Sequence, residues 1–266
     1  DYAFIFLREY KIVAQLAFMI NDKQKAIYYV QLAISAGWEL KSIRKNKVLS
    51  ALYKELKKGL IAHSYDSLIT IYVSKLNLST RKQARKMFKK DQKMAIGALL
   101  RIGDHALERY TNTRFAPHSE GQIQHLISQL NSIGYPDEQI TGNDYWMSTI
   151  ISHHNSISTK NIEQDTLFTF LRPNLEFALY RGEISPYEFE TIDDWHGTVL
   201  FEGSRVGYGY LNPPQQQRLH ETNQMKSKIG LRSIELRNQL IKLEKKTGIS
   251  LYLPDWVRGE IRALTN

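Results

Sequence analysis

The chain of 266 residues has no cysteine. That removes disulfides, thiolate metal ligands and cysteine nucleophiles together, and leaves cytosolic and exported compartments equally compatible. Proline and glycine are sparse, at 7 and 15 residues, which argues against a disordered or low-complexity chain. No apolar run approaches the roughly 18 residues that a membrane-spanning helix needs. Phosphate-binding loops of the Walker type, dinucleotide fingerprints and nucleophile-elbow motifs are also missing. No cofactor is therefore expected. A chain that begins at Asp1 reads as a trimmed or a processed protein, so the lack of a signal peptide says nothing and localisation stays open.

What is present is helical. Phe4, Leu7, Tyr10, Ala14 and Ala17 form one apolar stripe, and Ala26, Val30 and Ala33 form a facing one. Asn21-Asp22 supplies a turn and a cap between them. Small residues on both stripes allow close approach, so residues 3–36 predict a helical hairpin resembling a tetratricopeptide unit. Leu40 to Leu60 gives at best a degenerate second copy, and repeat arrays usually need about three. A groove for another protein is the functional meaning of such a hairpin, and simple packing is the bland one. Ser64 to Tyr72 fits helix or strand. Ser79-Thr80 can cap a long helix reaching about Thr111, and helices are expected over 120–132, 145–156 and 162–181. The last of these contains Pro173 as a kink. Gly230 divides the polar stretch 215–246. Ile249 to Leu253 reads as a short strand or a docked tail.

The stretch Gly182 to Tyr210 predicts a helix start, with Ser185 as N-cap, Pro186 at the first helical position and Glu188 completing a capping box. After Gly197 the pattern changes to Thr198-Val199-Leu200-Phe201. With the turn Glu202-Gly203-Ser204 and the run Arg205 to Tyr210, this predicts a small β-hairpin. The expected architecture is mainly α: a helical-hairpin part over 1–78 packed on a mostly helical domain over 79–266 that carries the hairpin.

Formal charge is +9 and unevenly placed. From Lys41 to Lys93 there are 15 Lys and Arg against three acids, Glu55, Asp66 and Asp91. Most are lysines at polar positions of amphipathic helices with few aromatics between them. Base stacking and bidentate arginine readout lack candidates, so nucleic acid is not the expected partner. Eight histidines exist, but none makes the i,i+4 pair with a catalytic Glu that marks a helical metal site, and no metal ligand set is expected.

Several short motifs occur in a fixed order: Asp91-Gln92 in KKDQKMA, Gly134-Tyr135-Pro136, His153 in ISHHNS, Asp194 in IDDWHG and Tyr208-Gly209 in GYGYL. Over about Arg81 to Leu211 this order resembles a bacterial family known as domain of unknown function 6624. The chain departs from the family pattern at four places. Ala95 stands for an Arg, Asn155 for an Asp, Trp195 for an Arg, and Tyr210-Leu211 for Thr-Gln. The resemblance implies a site made of Asp91, Gln92, His153, Asp194 and Tyr208 but supplies no reaction. Two functions follow from it. The first is a non-catalytic or degenerate family member acting through protein contacts, which the departures favour. The alternative is a hydrolase-like enzyme whose cleft those five residues line. For His153, which shares a helix face with Trp146 and Ile150, the bland expectation is a satisfied core histidine.

Overall fold

The computed structural model describes residues 4–200, 207–253 and 259–265. The described chain is mainly α-helical and divides into two compact units. The first is Asp1–Leu76 with Glu235–Asp255, and the second is Asn77–Ile234 with Trp256–Asn266. The segment Glu235–Asp255, which the sequence pattern grouped with residues 79–266, thus belongs with the N-terminal helices.

In the first unit α1 (Leu7–Met19) and α2 (Lys23–Ile34) form the expected hairpin. Asn21 takes a left-handed turn, and the Asp22 carboxylate accepts from Lys25 N at 3.0 Å, capping α2. Ala14, Ala26 and Ala33 are fully buried, so the two helices meet through side chains of one methyl each. Next come α3 (Leu40–Lys45), α4 (Ser50–Leu56), a π-type turn at Lys57–Ile61, and α5 (Ala62–Lys75). The ambiguous stretch 64–72 is therefore helix. Gly37, at φ 95°, lies under the Tyr72 ring, where a Cβ would come within 2.7 Å of Cζ.

Part of the α1 surface is occupied by the chain itself. The Gln15 side-chain amide donates to Ser250 O at 2.9 Å, and its oxygen accepts from Ser250 N at 2.9 Å. Arg8 Nε reaches Leu251 O, Asn46 Nδ2 reaches the Tyr252 hydroxyl, and Lys11 Nζ lies 4.7 Å from the Tyr252 ring centre. Residues 249–252 make no strand. Their backbone polar groups find side chains of α1 and of Glu244 and Thr247 instead of a neighbouring ladder, which is the other way to satisfy them.

The second unit starts with α6 (Leu78–Leu99), capped by Asn77 rather than by Ser79 or Thr80. It ends near Leu100, well short of Thr111, at a corner closed by Gly103 at φ 85°. There follow α7 (Asp104–Tyr110), a π-type turn at Thr111–Phe115, and α8 (Ala116–Ile133) with Pro117 at its start. Then come α9 (Glu138–Thr141), α10 (Trp146–His154), α11 (Thr159–Gln164), α12 (Leu167–Tyr180) and α13 (Pro186–Leu200). The chain closes with α14 (Leu219–Lys228) and α15 (Ile234–Thr247), which Gly230 separates. The core gathers Ile123 and Leu126 of α8, Ile150 and Ile151 of α10, Leu171 and Leu175 of α12, and Phe189 and Ile192 of α13.

The capping box at α13 forms as predicted, with Glu188 N donating to Ser185 Oγ at 3.2 Å and Ser185 N to Glu188 Oε2 at 3.3 Å. The β-hairpin is not supported. Thr198, Val199 and Leu200 complete the last turn of α13, and the turn Glu202-Gly203-Ser204 lies outside the described residues. Gly207 to Tyr210 form no strand among the described residues. Three β-branched or apolar residues favour a strand only weakly. A helix already holding Ile192 to Gly197 satisfies their backbone groups without needing a partner.

Candidate functional site

Asp91 lies on the buried line of α6, in step with Ala84 and Met87, and is fully enclosed. Its Oδ2 sits 2.6 Å from His153 Nδ1 of α10. Its Oδ1 is buried and has no hydrogen-bond partner. The His153 side chain remains 29% exposed. One edge of this imidazole is therefore held by a carboxylate inside the protein, and the other faces outward. A carboxylate at Nδ1 selects the tautomer with Nδ1 protonated, and in the neutral form of that ring Nε2 is the acceptor. Gln92 Nε2 touches Asp91 Oδ2 at 3.5 Å, the limit for a hydrogen bond, so it adds little.

His118 on α8 is a further member that sequence reasoning missed. Its Nε2 is buried and unpartnered. Burial holds the ring below the ordinary histidine range, the Asp91 charge partly opposes this, and Lys90 reinforces it. Among the described residues, no group of three or more His, Cys, Asp or Glu side chains is arranged to hold a metal ion.

Asp194 and Tyr208 also meet, but in another role. Asp194 Oδ1 accepts from Tyr208 N at 2.7 Å, and Oδ2 accepts from Tyr210 N at 2.8 Å. The contact uses the Tyr208 backbone, and both residues are buried. Burial pushes the Asp194 carboxyl above its usual range although backbone N–H groups pull the other way. Among the described residues, no hydrogen bond joins this pair to Asp91, Gln92 or His153. The five predicted residues thus form two groups: a histidine–carboxylate pair with an open edge, and a carboxylate that clamps a loop. Asn155, one of the departures from the family pattern, is fully buried and donates to Ile192 O at 3.0 Å. It ties α10 to α13.

The adjacent histidine makes an instructive contrast. His154 Nδ1 lies 2.9 Å from Ser119 Oγ, and its Nε2 lies 3.1 Å from Asp165 Oδ2. Serine, histidine and aspartate are in line, yet Ser119 is fully buried and His154 nearly so, so no substrate reaches the hydroxyl. Asp165 is meanwhile engaged as the start of α12, accepting from Leu167 N and Phe168 N. Burial pushes its carboxyl up, but the His154 hydrogen bond and charge and those two N–H groups outweigh it, and it ends below its usual range. His154 is the satisfied core histidine, and His153 is not.

Compared with protein-family models, with curated proteins and with solved structures, the chain matches none.

Proposed function

We propose that the second unit is a hydrolase-like enzyme in which His153 acts as general base and Asp91 orients it. One observation carries this: a fully buried carboxylate holds His153 Nδ1 at 2.6 Å while the ring keeps an exposed edge. In the step this permits, Nε2 takes a proton from water as the water oxygen attacks an electrophilic carbon or phosphorus. The proton then passes to the leaving group. Asp91 holds the tautomer and balances the imidazolium that forms, and it is not itself the base. Asp194 and the Tyr208 backbone stay outside the chemistry and hold their loop. On this proposal the chain is a divergent relative of domain of unknown function 6624 that keeps the Asp and His of the pattern.

The competing function, a non-catalytic module acting through protein contacts, is motivated by the hairpin and by the departures at Ala95, Asn155 and Trp195. The docking of residues 249–252 on α1 uses Gln15, Arg8 and Lys11 for the chain's own tail, which removes that part of the hairpin from contact with another protein.

The test is a panel of chromogenic carboxylic and phosphoric esters assayed with the wild type, His153→Gln and Asp91→Asn. Turnover should fall by about 100-fold or more in His153→Gln, the usual contribution of a general base. Asp91→Asn should lose a comparable amount. Turnover that survives both substitutions would assign the activity elsewhere and reject the dyad.

A further inference from the structure

Seven of the eight basic residues from Arg81 to Arg101 are exposed, and the only acid in that interval, Asp91, is buried. The distribution is more specific than a solvated helix face. Lys82, Lys86, Lys89, Lys93, Ile96 and Leu100 follow one another at steps of four and three, so they fall on a single line along the helix. The line is cationic for its first four positions and apolar for its last two. It ends at the α6–α7 corner, where every residue from Leu99 to Arg109 is exposed. Leu99, Leu100 and Ile102 are 84%, 74% and 96% accessible.

This corner is built, not frayed. Gly97 admits the Tyr110 hydroxyl so closely that an added Cβ would lie 2.1 Å from it. That hydroxyl donates to Met94 O at 3.3 Å, and the Arg101 guanidinium stacks 4.6 Å from the Tyr110 ring centre. The α6–α7 turn is thereby fixed with its leucines and isoleucine outward. Large apolar side chains grouped in water mark a surface that something covers.

We propose that this corner and the lysine line of α6 form a peripheral binding site for an anionic lipid surface. Charge complementarity and shape both select this occupant. A projecting corner offers no groove for a peptide, whereas Leu100 and Ile102 can enter the acyl boundary of a bilayer as they stand. The four lysines then lie over the headgroups, with flexible stems that keep their ammonium groups in the polar layer. A nucleic acid would use the lysines but leaves Leu99, Leu100 and Ile102 uncovered. The two acids of α7, Asp104 and Glu108, are balanced in charge by Arg101 and Arg109. No described helix is long and apolar enough to cross a membrane, so the contact is with the surface.

The experiment is vesicle flotation of the full chain with phosphatidylcholine alone and with added phosphatidylglycerol, at low and high salt. Binding should require phosphatidylglycerol and weaken with salt. Leu100→Glu with Ile102→Glu, and separately Lys86→Glu with Lys89→Glu and Lys93→Glu, should each weaken it by about tenfold or more. All five positions are exposed, so unchanged thermal melting is expected and checks that the variants fold. Leu100→Trp should add fluorescence that lipids brominated on the acyl chain quench. No binding to phosphatidylglycerol vesicles at low salt overturns the proposal. Loss only with the lysine variant, and no quenching at position 100, also overturns it in favour of a purely electrostatic partner such as a nucleic acid or an acidic protein.

Discussion

The two carboxylate oxygens of Asp194 each accept one backbone N–H, from Tyr208 at 2.7 Å and from Tyr210 at 2.8 Å, with Gly207 pressed against the same group. A Cβ on Gly207 would stand 2.6 Å from Oδ1. The loop and the carboxylate therefore specify each other. Asp194→Ala leaves two buried N–H groups unpaired and should cost about 2–4 kcal/mol. Asp194→Asn keeps one acceptor but turns an amide N–H toward the other donor, so it should cost nearly as much. Gly207→Ala should cost about 1–3 kcal/mol by displacement. Urea unfolding measures all three, and an Asp194→Asn protein as stable as the wild type would contradict the clamp.

The dyad makes a prediction independent of any substrate. Diethyl pyrocarbonate reacts with unprotonated, accessible imidazole nitrogen, and His153 and His154 sit side by side with opposite exposure. Peptide mass spectrometry after brief treatment should find His153 modified and His154 spared. The reverse pattern would mean that the outward edge of His153 is not open.

The buried Ser119–His154–Asp165 line should behave as structure alone. Ser119→Ala removes the partner of His154 Nδ1 inside a closed site and should cost about 1–3 kcal/mol. Any esterase turnover of the wild type should persist in it. Loss of turnover with unchanged stability would move the nucleophile to Ser119.

Asp91 shows how far the sequence reaches. It lies seven residues after Ala84 and four after Met87, so the helical period alone puts it on the buried line. A carboxylate on an apolar stripe is a signal that the order of residues carries by itself. The helix boundaries around it are legible for the same local reason: caps at Asp22 and Ser185 and breaks at Gly37 and Gly230 are properties of a few neighbouring residues. The partners are not. Nothing in the neighbourhood of Asp165 points to His154, and nothing near Ser250 points to Gln15, because these contacts are set by packing between distant segments. Thr198 to Leu200 illustrate the opposite failure. Their β propensity is real, but a preceding helix decides their conformation because it already supplies the hydrogen-bond partners.

Stability should fall as pH rises through the range around Asp137. This residue caps α9, accepting from Ile140 N at 2.8 Å, and is 6% exposed. Burial pushes its carboxyl from the ordinary 3.8 up to about 6; backbone hydrogen bonds oppose the rise and the Glu188 charge adds to it. Below the unfolded value both states carry the proton, and the group is neutral in the balance. Between the two values the folded state binds the extra proton, so raising the pH favours unfolding. Above about 6 the full cost is present, on the order of 2–3 kcal/mol for a shift of this size. Asp165 works with the opposite sign: its lowered carboxyl stabilises the fold above its unfolded value, and that contribution is lost as the pH drops below it. Asp137→Asn keeps the cap acceptor and removes the charge. It should melt higher than the wild type at about pH 7.5 and converge with it near pH 4, around the unfolded carboxyl value. A difference that does not change with pH would show that the Asp137 carboxylate is not the group the buried cap penalises.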